Sequence, residues 1–211
     1  ALTASRQGVE VEGIDLTPEL ISRAIENSKI MGLKAKFVEG DAEFLPYKEN
    51  EFDIILSQYG HMFAPRPAVV VKELARVLKP GGILAFSTWP KELFMGKFFK
   101  LIESFSQPLP PEVASPVLWG DMAVIEDRLR DHFDHIEFAR DTMFAPTMSP
   151  AHMLKLFEKN AGPLANLVKA LADDPTKLSN LRNAALVLIE KFFLNNFLRQ
   201  DFLMTRCVKK T

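Results

Sequence analysis

Glu73-Leu74-Ala75-Arg76-Val77-Leu78-Lys79-Pro80-Gly81-Gly82-Ile83-Leu84-Ala85-Phe86-Ser87-Thr88 is the stretch from which the fold is read. Apolar residues at Val70, Leu74, Val77 and Leu78 have helical spacing from about Ala68 onward, and Lys79-Pro80-Gly81-Gly82 breaks the helix. Ile83 to Thr88 is the next strand. Upstream, Phe52-Asp53-Ile54-Ile55-Leu56 is a buried-strand run that ends at Ser57. Lys36-Phe37-Val38-Glu39 is a short strand closed by Gly40-Asp41, and Val9 to Ile14 alternates apolar and polar residues up to Asp15. Thr17-Pro18-Glu19 supplies a cap, a proline at N1 and an acid in the first turn of a helix reaching about Met31, with Gly32 as its stop. Strand and helix alternating at this pitch predict right-handed βαβ units and a parallel sheet.

The last third reads differently. Leu93 to Phe105 is a helix rich in Phe and Lys, Gln107 to Pro116 a proline-rich loop, and Val124 to Phe133 a short helix. Ile136 to Arg140 is a strand, Ser149-Pro150 opens a further helix, and Asp173-Asp174-Pro175 turns into a helix over about 176–195. Phe202 to Val208 closes the chain as a strand. The fold class is therefore α/β, with a helical insert before the final strand. The 211 residues are read as one domain: a core at 1–92, a helical cap or insert at 93–131 and 147–199, and closing strands at 132–145 and 200–209.

Composition narrows function by exclusion. Twenty-six basic and 27 acidic side chains leave a formal charge of −1 and no basic block to hold nucleic acid. No apolar run reaches the roughly 20 residues that span a bilayer. The one cysteine, Cys207, fits a reducing, cytoplasmic setting and reads as a buried, inert thiol. His132 and His135 lack further ligands nearby, so no metal is expected. Seventeen phenylalanines and eight methionines suit an apolar or aromatic small molecule, although core packing explains the same residues. A homodimer is left open.

Ligands of a doubly wound sheet sit at the carboxyl ends of its strands. Asp15 stands at one such end, where a carboxylate accepts hydrogen bonds from a ribose diol or simply complements a helix dipole. Asp41, followed by Ala42, stands at the next, where it suits an adenine edge or an ordinary Asx-turn. Ser57-Gln58-Tyr59-Gly60-His61 leaves the third.

Four blocks together resemble the class I S-adenosylmethionine-dependent methyltransferases, nearest the ubiquinone/menaquinone-methyltransferase-like group that acts on small molecules. They are Val11-x-Gly13-Ile14-Asp15-Leu16-Thr17-Pro18-Glu19-Leu20, Gly40-Asp41-Ala42-Glu43-x-Leu45-Pro46, Phe52-Asp53-Ile54-Ile55 and Glu73 to Gly82. The resemblance covers about 1–90. It implies a Rossmann-like, doubly wound, mostly parallel sheet with an antiparallel C-terminal strand beside the family's fifth. It also implies S-adenosyl-L-methionine as cofactor, with Asp15 on the ribose hydroxyls, Leu16 packed on the adenosine, and Asp41 and Ala42 on the adenine. Ser57 and Gln58 would lie by the methionine end and the acceptor. His61 is the candidate general base, and Tyr59 the candidate to line the acceptor pocket. The reaction implied is an in-line methyl transfer in which the protein mainly orients its substrates. The family's first strand and glycine-rich loop are missing from this sequence, which begins with residues like the helix that follows that loop. The expectation is that the chain is a fragment or lacks N-terminal residues. A nicotinamide-dependent enzyme and a non-catalytic binding module are the alternatives.

Overall fold

Val11–Asp15 (β1) and Ala35–Glu39 (β2) pair in parallel, Val11 opposite Ala35 and Asp15 opposite Glu39, in the computed structural model, which describes residues 1–110 and 113–211. A short helix, Leu2–Ser5 (α1), precedes them. The crossover helix Pro18–Ile30 (α2) carries Pro18 in its first turn, where a missing N–H costs nothing. It stops at Gly32, whose φ of +64° is open to glycine without steric penalty.

Phe52–Gln58 (β3) pairs in parallel with Leu78–Thr88 (β4), Ile54 opposite Ile83 and Gln58 opposite Ser87. A 3₁₀ turn at His61–Phe63 and the helix Pro67–Val77 (α3) connect them. Phe197–Lys209 (β7) lies antiparallel to β4, with Thr88 opposite Leu203, and Phe133–Pro146 (β5) lies antiparallel to β7. The order is β3-β4-β7-β5, with β1-β2 as a separate pair. No ladder joins β1 to β3 among the described residues. On β3 Ile54 and Leu56 are 55% and 64% exposed.

Helices Phe94–Phe105 (α4), Met122–Leu129 (α5), Pro150–Asn160 (α6), Gly162–Ala170 (α7) and Pro175–Glu190 (α8) supply the rest of the core. Phe94, Phe98, Trp119 and Phe133 are fully buried there. Cys207 is buried too, and burial pushes its thiol up to about 12, so it stays protonated and inert.

The C-terminal third departs from expectation at several points, the helix expected to reach Phe133 ending at Leu129 among them. The strand expected at 136–140 runs over Phe133–Pro146, and the one expected at 202–208 over Phe197–Lys209. The helix opening at Ser149 breaks at Ala161 into α6 and α7. The long helix ends at Glu190 rather than near 195, because Phe193–Leu194 (β6) folds back onto β7 through Asn195-Asn196. Both asparagines have positive φ, +50° and +62°, the turn geometry whose twist matches a hairpin. Residues 193–199 thus belong to the sheet edge. Part of the proline loop, at 111–112, lies outside the described residues.

The segment between β2 and β3 is fastened along α3. Glu43 accepts from the Arg66 backbone N–H at 2.6 Å and from its Nε at 2.7 Å. The Leu45 N–H donates to Glu73 Oε2, while Arg76 donates to the carbonyls of Leu45 and Tyr47 and to Glu73. The Arg76 guanidinium holds the Glu73 carboxyl below the usual carboxylate range. This pair is partly solvated, so its worth is set by the hydrogen bonds to backbone more than by Coulomb attraction. Arg76→Met is expected to cost about 1–2 kcal/mol and to lower Tm by roughly 3–8 °C in thermal denaturation.

Candidate functional site

Asp15, Asp41 and Ser57 all stand at carboxyl ends of parallel strands. Asp15 Oδ1 accepts from the Thr17 N–H at 2.9 Å, and Asp41 Oδ1 accepts from the Glu43 N–H at 2.8 Å. These are Asx-type bonds to the residue two ahead, the structural role weighed for Asp41, whereas for Asp15 the alternative weighed was complementing a helix dipole. They also aim the carboxylates, and the second oxygen of each makes no hydrogen bond among the described residues. Leu16 is 68% exposed beside Asp15, Gln58 is exposed at the end of β3, and Ala42 is half-buried, its N–H without an internal partner among the described residues. Glu43 ties the β2 end to the segment leaving β3, because its partner Arg66 opens α3 just after the 3₁₀ turn that follows Ser57.

Tyr59 has φ +62°, a left-handed conformation that costs a bulky residue of order 1–3 kcal/mol. Its ring stacks on Trp89 at 3.9 Å between centroids and 6° between planes. Such strain is held where surrounding packing over-determines it, and it concentrates at binding sites. Trp89 leaves β4 at the same end of the sheet. Gly120 and Gly96 allow the chain to press against Trp89 and Pro90, since a Cβ on either would strike those backbone carbonyls.

His61 is 3% exposed, and the edge of its ring meets Phe86 and Trp119 at centroid distances of 4.5 and 4.6 Å. Its Nδ1 lies 2.9 Å from Ser57 Oγ, which also accepts from the His61 backbone N–H at 3.3 Å. Nε2 has no hydrogen-bond partner among the described residues. Burial, aided by the nearby Arg128 charge, pulls the imidazole down to about 3. A ring of that acidity is neutral at working pH and takes up a proton poorly.

Sequence reasoning did not assign roles to Glu43, Arg66, Trp89, Trp119 or Arg128. The available signal was Glu73-x-x-Arg76, an i,i+3 pair on a helix face. Trp119 and Arg128 come from the helical region after β4, and no local pattern ties them to Ser57. Among the described residues there is no cluster of three or more metal-ligating side chains, and no helix is long and apolar enough to cross a membrane.

Residues 1–86 match the family model described as a methyltransferase domain. An uncharacterised protein of Mycobacterium tuberculosis is 31% identical over 205 residues, covering 97% of this chain and 75% of the relative. The 2-methyl-6-phytyl-1,4-hydroquinone methyltransferase of Synechocystis is 38% identical over 88 residues, 42% of this chain and 27% of that protein. The crystal structure of a putative methyltransferase from Bacillus halodurans superposes with a TM-score of 0.58 at 17% identity, covering 96% of this chain and 84% of that one. That likeness establishes the Rossmann-like fold.

The buried imidazole has a consequence for acid stability. Unfolded, His61 takes a proton near pH 6.5; folded, it resists until about 3. The unfolded state therefore binds more protons in this window, and stability falls as pH drops through it. In His61→Phe the slope of urea-measured stability between about pH 6.5 and 4 should be shallower than in the wild type.

Proposed function

The chain belongs to the S-adenosylmethionine-dependent methyltransferases, and on that footing we propose that it methylates a small, apolar or aromatic acceptor, with cofactor roles assigned residue by residue. The observation that carries the site is the pair of carboxylates at adjacent parallel strand ends, each with one oxygen tethered and one open. Asp15 takes the ribose hydroxyls and Leu16 covers the adenosine. Asp41 accepts from the adenine amine while the Ala42 N–H donates to the ring. Ser57 and Gln58 face the methionine end. S-adenosylmethionine bound there supplies an electrophilic methyl group on a sulfonium.

The protein's own contribution is positioning. Half-buried Tyr59, backed by the buried Trp89 ring on which it stacks, offers an apolar surface for an acceptor ring beside the β3 and β4 ends. His61 is too weak a base to remove an acceptor proton, so its place is structural to Ser57. A formal charge of −1 with no basic block gives little purchase on a polyanion, and the hydroquinone acceptor named for the Synechocystis relative has the flatness that the Tyr59 ring suits. The core at 1–92 is the cofactor half and the helical insert covers the acceptor. A cytoplasmic setting suits the unpaired Cys207.

Calorimetry with S-adenosylhomocysteine and with NAD tests the reading. The first is expected to bind and the second not, and Asp15→Ala should weaken the first about tenfold or more, the loss of a hydrogen-bonded charge. Unchanged affinity in Asp15→Ala, or preference for NAD, overturns it. Transfer of a labelled methyl group to reduced quinones, with none to RNA, is the expected acceptor profile.

A further inference from the structure

The pairing register makes β5, β7 and β6 a ribbon that outruns the rest of its sheet. Thr88, the last residue of β4, stands opposite Leu203, whereas β7 begins six residues earlier, at Phe197. That stretch of β7 pairs only with β5 and β6, so the ribbon projects about 20 Å past the carboxyl end of β4. It is fastened at its tip. The Thr147 N–H donates to the Asn196 carbonyl at 2.8 Å, and the Arg199 N–H to the Phe192 carbonyl at 2.9 Å.

The two faces of the ribbon differ in cover but not in chemistry. Leu198 and Ala145, opposite each other, pack into the hydrophobic core. On the other face Leu194 stands opposite Phe197, and Phe197 opposite Pro146. Phe144 lies two residues before Pro146 and shares that face, its ring meeting Phe197 edge-on at 6.3 Å. This face is open: Leu194 is 71% and Phe144 60% exposed, and Met148, just past the strand, is 74% exposed. The solvent face of an antiparallel ribbon is ordinarily polar. A contiguous apolar patch in its place marks a binding surface.

Charge selects the occupant. Residues 142–151 carry no charged side chain, and 191–200 carry Lys191 and Arg199 with no acid. Arg199 stands opposite Phe144 on the open face, over Asp201, which is buried, and Asp141 alternates onto the other face. Behind the tip, Lys97 Nζ lies 5.8 Å from the Phe192 ring centroid, and with Lys191 it outnumbers Glu190. Apolar side chains at a tip with cations on their margin match a bilayer with anionic headgroups. A second copy matches less well. A two-fold contact sets the patch against itself and brings these cations toward their own copies.

We propose that the open face of this ribbon docks the protein on an anionic lipid bilayer. Phe144, Leu194, Phe197 and Met148 enter the headgroup layer, with Arg199, Lys97 and Lys191 at its surface. Docking in this way brings the carboxyl ends of β3 and β4 toward the lipid, and it holds whichever acceptor the candidate site takes.

Co-sedimentation with vesicles of phosphatidylcholine alone, and of phosphatidylcholine with phosphatidylglycerol, tests the proposal. Binding to the second is expected to be about tenfold tighter or more, and to weaken as salt is raised. Phe144→Ser combined with Leu194→Ser should lower it about tenfold or more, and Lys97→Gln and Lys191→Gln about fivefold each. All four positions are exposed, so Tm should stay near the wild-type value. Because Cys207 is buried, Met148→Cys offers one reactive thiol for an environment-sensitive fluorophore. Its emission should shift to the blue with the anionic vesicles, while the same label at Lys177→Cys, at the other end of α8, should not respond. No binding to anionic vesicles, equal binding to both kinds, an unresponsive label at position 148, or binding unchanged in the Phe144 and Leu194 double variant overturns the proposal. So does a dimer in sedimentation velocity that Leu194→Glu dissociates, since the patch then belongs to a second copy.

Discussion

The structure depends on the way one loop is fastened to one helix. Between β2 and β3 the chain runs from the carboxyl end of the sheet to its amino end, and α3 holds it at each step. Glu43 meets Arg66 at the start of the helix, Leu45 meets Glu73 in its middle, and the backbone of Asn50 and Glu51 meets the carbonyls of Arg76 and Val77 at its end. Each contact uses a backbone group that would otherwise need another partner. The same contacts bring the Asp41 turn toward the segment that leaves β3. Charge here serves geometry more than stability: Glu43 is buried, while the Arg66 side chain is largely exposed.

Aromatic packing does the corresponding work where β3 and β4 end. The Tyr59–Trp89 stack and the contacts among His61, Phe86 and Trp119 join the segments leaving β3 and β4 to the 3₁₀ turn at Pro116–Gly120. Rings in offset and edge contacts fix orientation as well as bury area. A strained tyrosine backbone and a neutral histidine are both tolerated because this packing admits few alternatives.

Much of the fold could be read locally. Thr17-Pro18 and Ser149-Pro150 announce helices that begin at their prolines, although Thr17 makes no side-chain cap bond, and Asp173-Asp174-Pro175, expected as a turn, opens the third helix at Pro175 with Asp174 as its cap. The end of the long helix could not, because Phe192 and Phe193 continue the apolar spacing past Glu190 and only pairing with β7 turns them aside. The long β5 and β7 strands were similarly hidden: polar residues such as Asp141 and Arg199 enter a ladder whose partner lies some 60 residues away. Of the candidate site, the positions of Asp15, Asp41 and Ser57 at strand ends were legible. Arg128 and Trp119 were not, since their relation to His61 exists only in three dimensions.

The position of β7 between β4 and β5 also governs when the sheet can close. At about 5–20 residues per second, the roughly 110 residues separating the end of β4 from the start of β7 take a ribosome on the order of ten seconds. Through that interval the β4 edge has no partner, and β5 has none either, because each pairs with β7 and not with the other. The nascent chain therefore carries two waiting strand edges, open to non-native pairing. The β1–β2 pair, whose strands end by Glu39, emerges long before. Synthesis thus separates the two sheets in time, and the arrival of β7 decides whether the larger one closes at all.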